Sequence, residues 1–483
     1  MTGDSLEPDV ARRRMLQVTG AASMLGLAGC NANAFDDSLD PDQLLALPHG
    51  VAVGDTTSET AVFWTRLAEP GTVNLEFTSS DSFDDADRVQ LEADADADDT
   101  ARTRLTGLEP RSEYSYRAWG VAEGGDLDAN PPEDEPAVKR GSFRTAPTPD
   151  ADAPVTFAWS GDTYGYGGAP VEPPYAGLEA IGKLQPDFFL YLGDTIYADA
   201  NTPAGQVSSS TDPDEALEIY NAKYREMRNP DSSVADRTNL QTMLEATSVY
   251  AIWDDHEVIN NFNRTNPLLP SGLESFLNYW PLDTHESVTG SSDTRMYRSF
   301  RWGKHLELFV LDTRQYRDPS DIPPEEKAML GKQQLNWLLG SLQASDATFK
   351  VIASSTTMGI MSGDGWTQSG QGYGRELGEI LNVVEDLDNV LVLSGDIHKA
   401  QVAAFDTNDD VVNEFYEASA GPLGAPSGNP NQYYEPFNPN VFYDRGNFNN
   451  FGVIQVDEAG DFIWIEIRHE NGKIAFSRRM KAV

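Results

Sequence analysis

The feature that most constrains this chain is a series of short, uninterrupted apolar runs, nearly all stopping at an acidic or polar tip. They read VTFAWSGD (155–162), DFFLYLGD (187–194), VYAIWDD (249–255), LELFVLDT (306–313), FKVIASS (349–355) and NVLVLSGD (389–396). A run without polar alternation is a strand buried on both faces. Amphipathic segments between the runs, such as 332–343, predict helices, so the expected fold class is α/β. In such folds ligands collect beyond the carboxyl ends of strands. The tips should therefore converge on one acidic site.

Four tips carry the chemistry: Gly161-Asp162, Gly193-Asp194-Thr195-Ile196-Tyr197, Asp254-Asp255-His256-Glu257 and Gly395-Asp396-Ile397-His398. Carboxylates gathered without basic partners repel one another, and metal cations supply the compensating charge. Carboxylate, imidazole and phenolate suit Fe, Mn, Zn or Ca. A lone Gly-Asp at a strand end is more often a turn than a ligand. Four in order, two with a histidine within two residues, reverse that preference in a chain with only six His.

Ahead of these runs the texture differs. From about 47 to 147, short alternating segments broken by turn residues predict strands at 60–67, 71–78, 103–108, 112–120 and 141–146. Leu108-Glu109-Pro110 followed by Tyr114 and Tyr116 looks like the tyrosine corner of a fibronectin/immunoglobulin-like sandwich. The aspartate-rich stretch 81–99 lacks the turn glycine and distal glutamate of a calcium loop and reads as a solvated acidic edge. The Pro/Asp stretch 146–154 reads as a linker. At the other end, 451–480 reads as a strand and then a hairpin turning at ENGK.

The first thirty residues read as an export signal. Arg12-Arg13-Arg14-Met15-Leu16 precedes an apolar stretch too short to span a bilayer, resembling a twin-arginine signal for folded proteins. It ends Leu27-Ala28-Gly29-Cys30, which looks like a lipoprotein box with Cys30 as the lipidated residue. A buried free cysteine is the alternative. As the only cysteine, Cys30 also excludes a disulfide framework. The expected division is signal 1–29, acidic tether 30–46, β-sandwich 47–147 and catalytic domain 152–483. The location implied is the extracellular face of the cell membrane, with Cys30 as the anchor.

Charge enters where partners are at issue. Asp and Glu total 77 against 35 Lys and Arg, a net −42. A hydrophobic fraction of 39% supplies a sizeable core and excludes a wholly disordered acidic chain. Nucleic-acid binding is not expected, because phosphate backbones need basic neutralisation. Attraction to anionic lipid is disfavoured for the same reason. The excess reads as a solvation coat for high salt, a halophilic trait, with an ordinary acidic secreted protein as the alternative. Oligomeric state is not legible.

Several segments together resemble the PhoD-type alkaline phosphatase/phosphodiesterase family of the calcineurin-like metallophosphoesterases. They are HGVAVGDTTSETAVFWTRL (49–67), LYLGDTIYAD (190–199), WDDHEVINNF (253–262), LDTRQYR (311–317), MLGKQQLNWL (329–338), LSGDIHKAQVAAF (393–405) and FYEASAGPLGAP (415–426). The resemblance implies a four-layer αββα sandwich preceded by the small all-β domain. It implies a binuclear or larger metal site, Fe3+ with Ca2+, with Mn2+, Zn2+ or Mg2+ as alternatives. Its implied ligands are Asp194 as the bridge, Tyr197 as phenolate, Asp255, Asp396 and His398. Asp162 stands where the family has a cysteine, and 351–359 lacks a histidine common in the superfamily. Both departures favour harder, oxygen-rich ligation.

The implied substrates are small phosphate esters, hydrolysed by in-line attack of a metal-activated hydroxide without a phosphoenzyme. His256 reads as acid or oxyanion stabiliser, or else as orienter of Asp254 or Asp255. Asp254 shares the catalytic assignment, as partner more than ligand. Arg264 and Arg314 are candidates for gripping phosphate, plain salt bridges being the alternative. Two further readings stay open: a phosphodiesterase for teichoic-acid-like polymers or phospholipids, and a non-catalytic adhesion or solute-binding lipoprotein.

Overall fold

A computed structural model describes residues 39–132, 135–163, 175–228, 238–283, 294–368 and 372–483. The twin-arginine stretch, Cys30 and most of the tether lie outside the described residues.

Two mixed sheets make the catalytic part. The nine-stranded sheet has the parallel strands Val155–Ser160, Phe188–Leu192 and Val249–Ile252 at its centre. The seven-stranded sheet centres on the parallel strands Leu306–Val310, Phe349–Ser354, Val390–Ser394 and Phe415–Ser419. Each of the six apolar runs forms one of these strands.

Alternation within the second sheet shows how the layers stack. Leu308, Val310, Val351, Ala353, Leu391 and Leu393 join one core with Phe157, Phe188 and Tyr250 of the first sheet. The intervening Phe309, Ile352, Val390 and Val392 pack on Leu335, Leu338 and Ile380 of the helices Gly331–Ala344 and Gly374–Val384. The first sheet is covered on its far side by the helices Ala176–Leu184, Thr238–Ala246 and Leu269–Tyr279, through Leu178, Met243 and Phe276. The result is four layers, αββα, as expected for the fold class.

The N-terminal segment forms a sandwich around Phe63, Val73, Leu75, Tyr114 and Phe143. One of its sheets contains Leu44–Leu45, Glu113–Ala122, Gly71–Thr78 and Asp87–Glu92, with Lys139–Arg144 beside Glu113–Ala122. The Tyr114 hydroxyl accepts the Glu109 N–H at 2.8 Å, closing the tyrosine corner. The other sheet (Val51–Gly54, Thr60–Arg66, Thr100–Thr106) runs on into the nine-stranded sheet, where Gly54 pairs with Val249. A side chain at Gly54 would meet the Val249 carbonyl at 2.5 Å, so the join needs glycine. Trp64 points across the seam and donates to the Asn278 carbonyl at 2.6 Å.

The stretch 81–99 is more than a solvated edge. It contains the edge strand Asp87–Glu92, and Asp98 is drawn to Arg66 (3.2 Å) and to Arg225 of the catalytic part.

Candidate metal centre

Parallel strands end on the same side, so their tips meet. Asp162, Asp194, Asp396 and His398 all adopt left-handed backbone, with φ of 62°, 51°, 64° and 55°. Such conformations are costly away from glycine and concentrate where side chains must be aimed. Glu257 ties two tips together. Its carboxylate accepts N–H groups from Thr195 (2.6 Å), Asp254 (2.9 Å) and Asp194 (3.2 Å), and burial pushes its pKa up to about 7.

Potential ligand atoms fall into three overlapping triangles, each within 4.8 Å: Asp162, Asp194 and His398; Asp194, Asp255 and His256; Asp254, Asp255 and Asp396. Asp194 belongs to the first two and Asp255 to the last two. Tyr197 joins the first, its hydroxyl 3.1 Å from His398 Nε2, with its ring stacked on His256 at 4.2 Å. The Pro426 carbonyl, 2.8 Å from His398 Nδ1, can only accept, so Nδ1 carries the hydrogen and Nε2 presents its lone pair, here toward the Tyr197 hydroxyl. Burial pulls the His398 pKa down to about 4, which keeps it neutral.

Both oxygens of Asp162 are buried and have no hydrogen-bond partner among the described residues. Burial, reinforced by neighbouring carboxylates, drives the Asp162, Asp194 and Asp396 pKa values far above the ordinary range. Burial, and then Asp194 and Asp162, does the same to the Tyr197 phenol. Such a set is held ionised by cations. The donors are oxygen and imidazole, which fit metal ions as expected.

His256 differs. Burial opposes its protonation, but Asp194, Asp255 and the 2.7 Å contact of Nδ1 with Asp199 Oδ1 outweigh it and hold its pKa well above the usual value. Asp199 Oδ2 accepts the Asn260 N–H in turn. Asp199 lay unremarked in the segment 190–199; only its approach to His256 in space singles it out.

The two arginines read as phosphate grips are otherwise engaged. Arg314 is fully buried, its Nε 2.5 Å from Asp254 Oδ1. Its Nη2 lies 2.7 Å from Asp364, 3.6 Å from Asp255 and 3.7 Å from Asp396. Arg314 is an internal counter-charge, closed to substrate. Arg264 is half-exposed and turned to Asp318 at 2.5 Å. Asp254 lies inside, between Arg314 and the Ser355 hydroxyl (2.8 Å). No sequence signal pointed to Asp364.

A family model described as PhoD-like phosphatase matches residues 157–462, and one described as PhoD-like phosphatase, N-terminal domain, matches 35–147. Alkaline phosphatase D of Bacillus subtilis (strain 168) is 28% identical over 439 residues, covering 80% of this chain and 71% of that protein. A solved structure of PhoD shares the fold with a TM-score of 0.70 at 21% identity, over 90% of this chain and 89% of that one. A purple acid phosphatase from yellow lupin (Lupinus luteus) seeds gives 0.61 at 12% identity, over 91% and 74%.

Proposed function

Since the chain belongs to the PhoD-like phosphatase family and is a phosphoric ester hydrolase, we propose that it is a metal-dependent alkaline phosphatase/phosphodiesterase of small phosphate esters, acting at the converging strand tips. The family match sets aside the adhesion or solute-binding reading. The observation that carries the proposal is the buried carboxylate of Asp162, which has no hydrogen-bond partner among the described residues and faces Asp194 and His398.

Asp162, Asp194, His398 and Tyr197 would hold one ion; Asp194, Asp255 and Asp396 would hold more. Fe3+ with Ca2+ is the proposed pair, and Mn2+, Zn2+ or Mg2+ the alternatives. Bound cations supply Lewis acidity, lower the pKa of water and neutralise phosphate oxygens. The chain's own part begins with Asp255, whose Oδ2 is fixed by the Asn261 N–H at 2.6 Å. Asp199 sets the plane of His256 and favours its charged form. The imidazolium then gives its proton to the departing ester oxygen as water attacks phosphorus in line, without a phosphoenzyme.

Elemental analysis with a chromogenic phosphate ester tests this directly. Wild type should carry metal and turn over; Asp162→Ala should lose both. A variant that kept its metal content and its turnover would overturn the placement.

Export through the twin-arginine route and anchoring at Cys30 complete the proposal, supported by Arg12-Arg13 and by Leu27-Ala28-Gly29-Cys30. Cys30→Ser should move the protein from the membrane fraction to the medium. An unchanged membrane fraction would count against the anchor.

A further inference from the structure

The seam between sandwich and catalytic sheets contains a buried cation whose nitrogens have no hydrogen-bond partner among the described residues. Arg228 ends the helix Pro213–Arg228 and is 1% exposed. Its guanidinium carbon lies over the rings of Trp64 at 4.5 Å, Trp280 at 4.6 Å and Tyr279 at 5.7 Å. Ring contact satisfies the faces of a guanidinium and leaves its N–H edge needing acceptors. Here Nε, Nη1 and Nη2 are all buried without a hydrogen-bond partner among the described residues.

Among the described residues, the nearby acids either pair with other groups or are turned away from Arg228. Asp98 takes Arg66, Arg225 and the Tyr279 hydroxyl, and Asp99 lies 3.8 Å from Arg66. Glu226 is two positions before Arg228 on the same helix, a spacing at which side chains do not face each other. His49 adds no negative charge; burial, then Arg66, Arg228 and Arg225, keeps it neutral. In a chain of net −42 such a cation is not short of acids in general. An unpaired buried charge is among the costliest things a fold can contain.

We propose that the seam holds one small monovalent inorganic anion, of the halide class, on the N–H edge of Arg228. A single guanidinium, without an acid partner among the described residues, calls for a monovalent ion, and full burial among rings calls for a small one. Phosphate, largely divalent near neutral pH, and bulky organic acids fail one condition or the other. The site is independent of the metal centre and of the hydrolase reading.

The test uses the full chain and two readouts. At matched ionic strength the melting temperature should be higher in sodium chloride or bromide than in sodium gluconate, whose anion is too large to enter. The gain should be on the order of 1–2 °C per tenfold rise in halide. Arg228→Met should erase the difference between the salts. Bromide-soaked wild-type crystals should show an anomalous peak within hydrogen-bonding reach of the Arg228 edge, a result that does not depend on any variant folding. Identical melting in halide and gluconate, or crystals without that peak, would overturn the proposal.

Discussion

His256 owes its charge first to Asp194 and Asp255, and its orientation to Asp199, a residue outside its own strand tip. Asp199 fixes Nδ1 at 2.7 Å and is itself fixed by the Asn260 N–H. Asp199→Asn should therefore lower kcat by about 10–100-fold with metal content unchanged. A loss of metal instead would make His256 an orienter of ligands, the other reading of this residue. The centre's own groups were legible because Asp162, Asp194, Tyr197, Asp255, Asp396 and His398 each sit beside a strand end, which is a local signal. Their partners were not. Asp199 meets His256, and Asp364 meets Arg314, only through the crossing of distant segments. Between the two readings of Arg314, burial among four carboxylates favours the salt bridge over the phosphate grip, a choice its place after a strand tip could not make.

The long apolar strands were readable because both of their faces are buried. Val51–Gly54 and Asp87–Glu92 were not, one being four residues long and the other acidic on an edge. Packing between neighbouring strands is equally specific. Gly452 of the strand Asn450–Val456 lies opposite Trp159, and a Cβ there would come within 2.1 Å of the indole. Gly452→Ala should cost about 1–3 kcal/mol, read as a lower melting temperature. Trp159 is three residues from Asp162, so the same substitution should weaken metal retention under chelator challenge. A variant melting like wild type would show that the indole has room to move.

Taken whole, the molecule has an acid-sensitive seam. His49 is buried there, and burial with Arg66, Arg228 and Arg225 lowers its pKa from 6.5 to about 3. The unfolded chain takes up a proton below pH 6.5 that the folded one refuses. This contribution to stability is complete above pH 6.5 and drains away as the pH falls from there toward 3, by at most about 1.4 kcal/mol per unit. His49→Gln should melt with a shallower acid dependence between pH 6.5 and 4; parallel curves would acquit His49. The sequence pointed to a sandwich and a catalytic part joined by a linker. It did not reveal their shared sheet, because that join is a single residue pair between segments nearly two hundred positions apart.

That pairing of Gly54 with Val249 has a protective side. Val249–Ile252 leads straight to Asp254 and Asp255, and without the sandwich it would be the bare margin of its sheet, a template for a second chain to add a strand. By occupying that margin, the sandwich denies aggregation a foothold beside the chemistry it borders.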